Sequence, residues 1–279
     1  MAFLTAFSAS LALAFFLRGG VTRPTRWGGL AVLVAVVLAV ALTHGWVAFL
    51  TLRVFWLSLG VLFLMGLFDD LLVLSPPTKL GFQLAAAMLF LLLTSPTAWA
   101  PEIRFLLGVY AIPFLLLWIV GITNSLNLLD NMDGLASGVG ALAALGFVWL
   151  GFGGDWVLVP LAGALAGFLV LNFHRARIHL GDAGSHLVGF SLATLPFFGP
   201  PDGQWWVPPI VLMVPIADTA FVTLSRLARG VSPFQGGKDH LSHRLRGAGV
   251  SERGVAAVFY AFTLLLAGVA AVAARWAAG

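Results

Sequence analysis

Two adjacent aspartates, Asp69 and Asp70, interrupt the apolar stretch LMGLFDDLLVL, residues 64–74. Ionised carboxylates are costly in hydrocarbon, and two side by side repel one another. The pair therefore calls for water, a cation or a shared proton. Helix neighbours point about 100° apart, so the two carboxylates do not meet at one spot unaided.

Three further stretches carry polar chemistry. In NSLNLLDNMDGLASG, residues 124–138, Asn124, Asn127, Asp130 and Asp133 recur every third position and Gly134 follows. Residues three apart share one face of a helix or 3₁₀ turn, which makes a stripe of amide and carboxylate oxygens. In GDAGS, residues 181–185, Asp182 stands between glycines and directly before an apolar run. Glycine permits close backbone approach and a helix N-terminus favours anions, although an ordinary N-cap has the same look. The longest polar stretch is SPFQGGKDHLSHRLRGAG, residues 232–249. There His240 and His243 lie among Lys238, Asp239, Arg244 and Arg246. No third ligand completes a tetrahedral zinc site, and no Glu between the histidines makes a metalloprotease helix. His, Lys and Arg gathered in one loop are suited to donate to phosphate. The other histidines, His44, His174, His179 and His186, read as interfacial or structural.

Hard carboxylate oxygens beside basic groups suit a magnesium ion and a phosphorylated substrate. Mg²⁺ takes one or two carboxylates and completes its shell with phosphate oxygens and water.

The elements that carry these residues must live in lipid. The 279 residues are 60% hydrophobic and 9% charged, with mean hydropathy +1.01; soluble domains carry roughly 25% charged residues. The apolar runs are long and do not alternate, so an all-α, polytopic integral membrane protein is expected rather than a β-barrel. There is no cysteine, which excludes disulfide and thiolate chemistry. No basic residue precedes the first apolar run, so a retained first helix is expected rather than a secretory leader. About ten spans fit: 2–17, 28–43, 46–68, 79–95, 105–122, 134–151, 155–172, 184–199, 205–228 and 252–276. They form a single transmembrane catalytic domain, 1–279, with the histidine loop at 229–251.

The loops after odd-numbered spans hold Arg18, Arg23, Arg26, Lys79, Arg175, Arg177, Arg226, Arg229, Lys238, Arg244, Arg246 and Arg253, leaving Arg53, Arg104 and Arg275 elsewhere. By the positive-inside rule those loops are cytoplasmic and both termini face outward. The acids sort the same way: Asp69, Asp70, Asp130, Asp133, Asp182 and Asp239 fall at cytoplasmic helix ends or loops. A cytoplasmic active-site cleft is the expectation.

Taken in order, Asp69-Asp70, Asn124-x-x-Asn127-x-x-Asp130-x-x-Asp133-Gly134, Gly181-Asp182-Ala183-Gly184-Ser185 and Lys238-Asp239-His240-Leu241-Ser242-His243-Arg244-Leu245 resemble the polyprenyl-phosphate N-acetylhexosamine-1-phosphate transferases, glycosyltransferase family 4. The similarity runs from about Thr22, in TRPTRWGGLA, to Leu245. The resemblance implies transfer of a sugar 1-phosphate from a UDP-sugar to polyprenyl phosphate in a bacterial inner membrane, with Mg²⁺ (or Mn²⁺) as cofactor. It implies metal ligation by Asp182, with Asp130 beside it. Asp69 and Asp70 match the family's aspartate pair, whose role is base or organiser. Asn127, Asp130 and Asp133 match the nucleotide-sugar region, Lys79 and Asn172 look like phosphate or substrate contacts, and His240 and His243 match the histidine loop, where Lys238 and Arg244 would also meet substrate. Ser242 departs from the family's His-x-His-His, and the three adjacent histidines of the muramoyl-pentapeptide branch are absent. That argues against a pentapeptide substrate and leaves the sugar open. A homodimer is left open and no nucleic-acid partner is expected. The rival class is a cation- or proton-coupled transporter, which would place its polar groups near the midplane in repeated halves with broken helices.

Overall fold

The computed structural model describes residues 1–19, 24–94, 108–197, 203–232 and 237–278. Among these the secondary structure is helical, apart from one isolated parallel bridge between Thr25 and Ile178. The helices are α1 (Ala2–Leu17), α2 (Gly28–Thr51), α3 (Arg53–Leu72), α4 (Pro76–Leu93), α5 (Ala111–Leu129), α6 (Leu135–Trp149), α7 (Asp155–Asn172), α8 (Gly181–Thr194), α9 (Val207–Val211), α10 (Met213–Ala228), α11 (Leu241–Gly247) and α12 (Glu252–Ala278). Six helical stretches are long and apolar enough to cross a membrane: α2, α3, α4, α5 with its preceding 3₁₀ turn, α7 and α12. Helices α1 and α6 are shorter and equally apolar.

The expected spans 2–17 and 155–172 coincide with α1 and α7. Others shift for local reasons. The second helix runs past 43 to Thr51, kinked where Gly45 takes φ 63°, so the third begins at Arg53 rather than 46. It then continues to Leu72, which places Asp69 and Asp70 inside its last turn. Two prolines at N1 and N2 and the Ser75 side chain, which accepts from Thr78 N, start α4 at Pro76. The ninth expected span is two helices, α9 and α10, parted at Leu212. Residues 105–107 and 198–199 of the fifth and eighth expected spans lie outside the described residues, as do 233–236 of the histidine loop.

Helix α8 is the axis of the fold. Every residue of it is buried except Asp182. Three neighbours reach it backbone to backbone, because small residues let helices approach where lipid gives no hydrophobic drive. A Cβ on Gly29 of α2 would strike the Gly184 backbone, one on Gly66 of α3 would lie 2.5 Å from Ala183 Cα, and one on Gly189 would lie 2.7 Å from Thr123 Cα in α5. On the far flank α1 lies against α7 in the same way, with Gly163 and Gly167 under the carbonyls of Phe3 and Phe7.

Candidate active site

All the polar stretches come to one end of this bundle: the C-terminal ends of α3, α5 and α7 and the N-terminal ends of α4, α8, α11 and α12. The start of α8 is held first. Its preceding loop is laced to the segment before α2 by His179 N to Thr25 O (2.7 Å), Gly28 N to His179 O (3.0 Å) and Gly29 N to Leu180 O (2.8 Å). Gly181 then takes φ 73°, and a Cβ there would sit 2.6 Å from Asp70 Oδ2 and 2.9 Å from Arg26 O. This is a position where glycine is required.

Asp70 closes that turn. Its Oδ1 accepts from Asp182 N (3.0 Å) and its Oδ2 from Ala183 N (3.1 Å). A helix N-terminus leaves its first N–H groups without intrahelical partners. Here a carboxylate from another helix takes two of them, with the favourable sign for the helix dipole. Asp69 faces elsewhere. It accepts from Leu74 N (2.6 Å), which braces the left-handed turn at Val73 (φ 56°), and it is ion-paired with Lys79. Lys79 also donates to Asp182 Oδ2 at 2.8 Å. The other oxygen, Asp182 Oδ1, accepts from Asn127 Nδ2 (3.1 Å), and the same amide donates to Ser185 Oγ (2.9 Å). Asp69, Lys79, Asp182 and Asn127 are thus joined in one chain of contacts across α3, α4, α8 and α5.

Asp130 lies beside it, in the turn after α5 and close to the Gly181 backbone. Burial pushes its carboxyl well above the usual range, and the charges of Asp182, Asp70 and Asp133 push the same way. Four carboxylates within mutual range therefore outweigh the positive charge among them. Carboxylate oxygens are the hard donors that a small divalent cation takes. Among the described residues no three His, Asp or Glu side chains make a closed metal site. An open one fits this chemistry, since Mg²⁺ keeps water and phosphate oxygens in its shell.

Asp133 and Asn172 are turned to the protein. Asp133 Oδ2 accepts from Ala176 N (2.9 Å). Asn172 is buried; its Oδ1 accepts from Gly134 N (3.1 Å) and Ser137 Oγ (2.9 Å), and its Nδ2 donates to Ile178 O (3.0 Å). Both brace the 173–180 segment that leads into α8.

The histidine loop docks on the same end. His240 is buried, and its Nδ1 donates to Asp218 Oδ2 (2.7 Å) while Leu241 N donates to Asp218 Oδ1 (2.8 Å). That bond leaves Nε2 for another partner. The His243 ring centroid lies 6.1 Å from that of His240. Partial burial, then the charges of His240 and Lys238, hold its imidazole below the ordinary value. Asp239 is gripped by Arg229 and Arg226, which hold its carboxyl below the usual range. Ser242 is fully buried and donates to Asn131 Oδ1 at 2.7 Å, which fastens α11 to the segment between Asp130 and Asp133. Arg244 is exposed, 4.7 Å from the Phe221 ring and hydrogen-bonded to Ser225, and Lys238 is exposed.

Sequence reasoning did not find Gln83, the role of His186, or the partners of Asp218 and Ser242. Gln83 stands four residues after Lys79, and Asp218 is an acid inside an apolar run. Each signal is a single residue without a repeat to mark it. In sequence Ser242 is a departure from the family's His-x-His-His, and here its side chain is internal.

A sequence model described as Glycosyl transferase family 4 matches residues 52–199. A probable undecaprenyl-phosphate N-acetylglucosaminyl 1-phosphate transferase of Bacillus subtilis is 33% identical over 248 residues, 84% of this chain and 69% of that protein. A decaprenyl-phosphate N-acetylglucosaminephosphotransferase of Mycobacterium tuberculosis is 33% identical over 290 residues, 88% of this chain and 71% of its own length. A phospho-N-acetylmuramoyl-pentapeptide-transferase of a Synechococcus strain is 33% identical over 269 residues, 87% of this chain and 76% of its own.

Proposed function

The chain belongs to glycosyl transferase family 4, and from that premise we propose that it transfers an N-acetylhexosamine 1-phosphate from a UDP-sugar to a polyprenyl phosphate. A phosphate oxygen of the lipid attacks the β-phosphorus of the UDP-sugar. The bond from that phosphorus to the bridging oxygen breaks, and UMP leaves with the oxygen. The observation that carries the reading is the Asp69–Lys79–Asp182–Asn127 cluster, with Asp130 beside it, at one end of an apolar bundle. Both substrates are anionic, so most of the work is positioning and charge stabilisation.

In this reading Asp70 organises: both its oxygens hold the start of α8. Asp69 sets Lys79, whose ammonium is the cation that meets phosphate. His240, aligned by Asp218, and His243, with its proton affinity lowered, face the anions from the flank with Lys238 and Arg244. Asp133 and Asn172 act by bracing the 173–180 segment. Mg²⁺ (or Mn²⁺), held by Asp182 and Asp130, would supply charge neutralisation on the diphosphate. A groove of about 490 Å³ between α10, α11 and α12, lined by Ala217, Leu241, Leu245, Phe259 and Phe262, suits a prenyl tail and ends at the histidine helix. The bundle crosses a bacterial inner membrane about ten times, with this end cytoplasmic and both termini outside.

The test is UMP release by the purified protein from UDP-GlcNAc and undecaprenyl phosphate, with and without Mg²⁺. If no UDP-sugar in a panel releases UMP, the reading fails. The polar groups gather at one end, and no observation favours a transport path.

A further inference from the structure

One helical turn below the Lys79–Asp182–Asn127 contacts lies a second polar layer made from the same three helices. On α4, Gln83 follows Lys79 by four residues. On α8, His186 follows Asp182 by four. On α5, which runs the other way, Asn124 precedes Asn127 by three. These spacings stack each pair on one helix face, about 5 Å apart. His186 and Gln83 are buried.

The hydrogen bonds in this lower layer are reciprocal. Asn124 Nδ2 donates to Gln83 Oε1 (2.6 Å) and to Val120 O (3.0 Å). Gln83 Nε2 donates to Asn124 Oδ1 (3.1 Å), and its second hydrogen points to His186 Nε2 (2.8 Å). His186 Nδ1 lies 2.6 Å from the Asp182 carbonyl. A carbonyl can only accept, so Nδ1 carries the proton. Nε2 is then the acceptor that Gln83 requires. Every amide and ring nitrogen has a partner of the right sense, and one arrangement alone satisfies them all.

We infer that Gln83, His186 and Asn124 form a positioning layer that fixes the rotation and register of α8 against α4 and α5, with His186 as the neutral Nδ1–H tautomer clamping the Asp182 carbonyl. The layer touches no substrate. It acts through Asp182, whose carboxylate can meet both Lys79 and Asn127 only when the first turn of α8 is set. The same stacking explains why a histidine and a glutamine sit inside helices otherwise built for lipid and close packing. A polar group buried there is costly unless fully paired.

The inference rests on the transferase reading for its kinetic consequence, but its first test does not. Nitrogen NMR of histidine-labelled protein in nanodiscs, with His186 assigned by loss of its signal in a His186→Asn variant, should show Nδ1 protonated and Nε2 bare at neutral pH. An Nε2–H tautomer or an imidazolium overturns the assignment, whatever the protein turns over. The second test is kinetic. His186→Leu and Gln83→Leu should lower kcat by roughly 10²-fold, the scale of a misplaced catalytic group, with KM for either substrate changed by less than about threefold. His186→Asn keeps a donor where Nδ1 stands and should recover most of the loss. Full kcat in both leucine variants overturns the positioning role. If no UDP-sugar is turned over by the parent protein, the functional reading fails while the NMR result still decides the layer. Should the leucine variants not fold, the asparagine variant and the NMR result decide it.

Discussion

Asp70 and Asp182 are both carboxylates at the same site, and they are asked for different things. Both oxygens of Asp70 are committed to backbone N–H groups of α8, so Asp70→Ala strands two donors, at about 1–3 kcal/mol each if they stay dry. It is expected to lower Tm and kcat together. Asp182→Ala removes the group that Lys79 and Asn127 share. It should abolish UMP release while Tm moves little, because the backbone contacts of α8 remain. Thermal unfolding followed beside turnover separates the two, and an active Asp182→Ala protein would contradict its place at the centre. Asp130 gives a pH signature. Its folded-state proton affinity is raised by burial and by Asp182, Asp70 and Asp133. The folded state therefore binds more protons than the unfolded one, and stability falls as pH rises above the ordinary carboxylate range. A divalent cation that neutralises the cluster offsets this and competes with the proton. The Tm increase given by Mg²⁺ should grow as pH rises above the ordinary carboxylate range; an increase independent of pH would place the cation away from Asp130. At this scale Asp69, Asp70, Asp130 and Asp133 were legible in sequence because they come as a pair or in threefold phase, and Asp182 because it stands among glycines before an apolar run. His186, Gln83 and Asp218 were not, because a lone polar residue in an apolar run carries no period, and its meaning lies in partners on other helices.

Helices position these residues through contacts that leave no room for a side chain. Gly66 of α3 faces the Ala183 backbone, one residue from Asp182, so Gly66→Ala must move α8 or α3. Overpacking of this kind typically costs about 1–3 kcal/mol, and here it also displaces the site. Gly163 of α7 lies under the Phe3 carbonyl on the opposite flank. Gly163→Ala should lower Tm by a similar amount yet leave kcat within about twofold, while Gly66→Ala should lower both. Equal kinetic effects would mean that the α8 contact does not set the site. Helix existence was readable from hydropathy, and α1 and α7 begin and end where the pattern does. The boundaries that moved did so at backbone features. Gly45 kinks α2 without ending it, and the turn between α9 and α10 at Leu212 lies within an unbroken apolar run. Which glycines make helix contacts is equally hidden, since Gly60 and Gly81 have open space where Gly66 has a backbone.

Across the whole molecule, charge separates along the bundle axis. Arg175, Arg177, Arg226, Arg229, Lys238, Arg244 and Arg246 lie at the end that carries the acid cluster, and Arg275 closes α12 at the other. Such an imbalance orients a membrane protein with its basic end in the cytoplasm. In the proposed reaction this same end receives the nucleotide sugar, so orientation and proposed function are tested together. The chain has no cysteine, which makes single-cysteine labelling clean. Lys238 and Asp155 are exposed and belong to opposite ends, the first before α11 and the second opening α7. With a membrane-impermeant maleimide, Lys238→Cys should react in inverted vesicles and stay unlabelled in intact cells, and Asp155→Cys should do the reverse. The opposite pattern would put the acid cluster on the outer face, away from any cytoplasmic UDP-sugar, and would overturn the proposed reaction even if every contact in the cluster is correct.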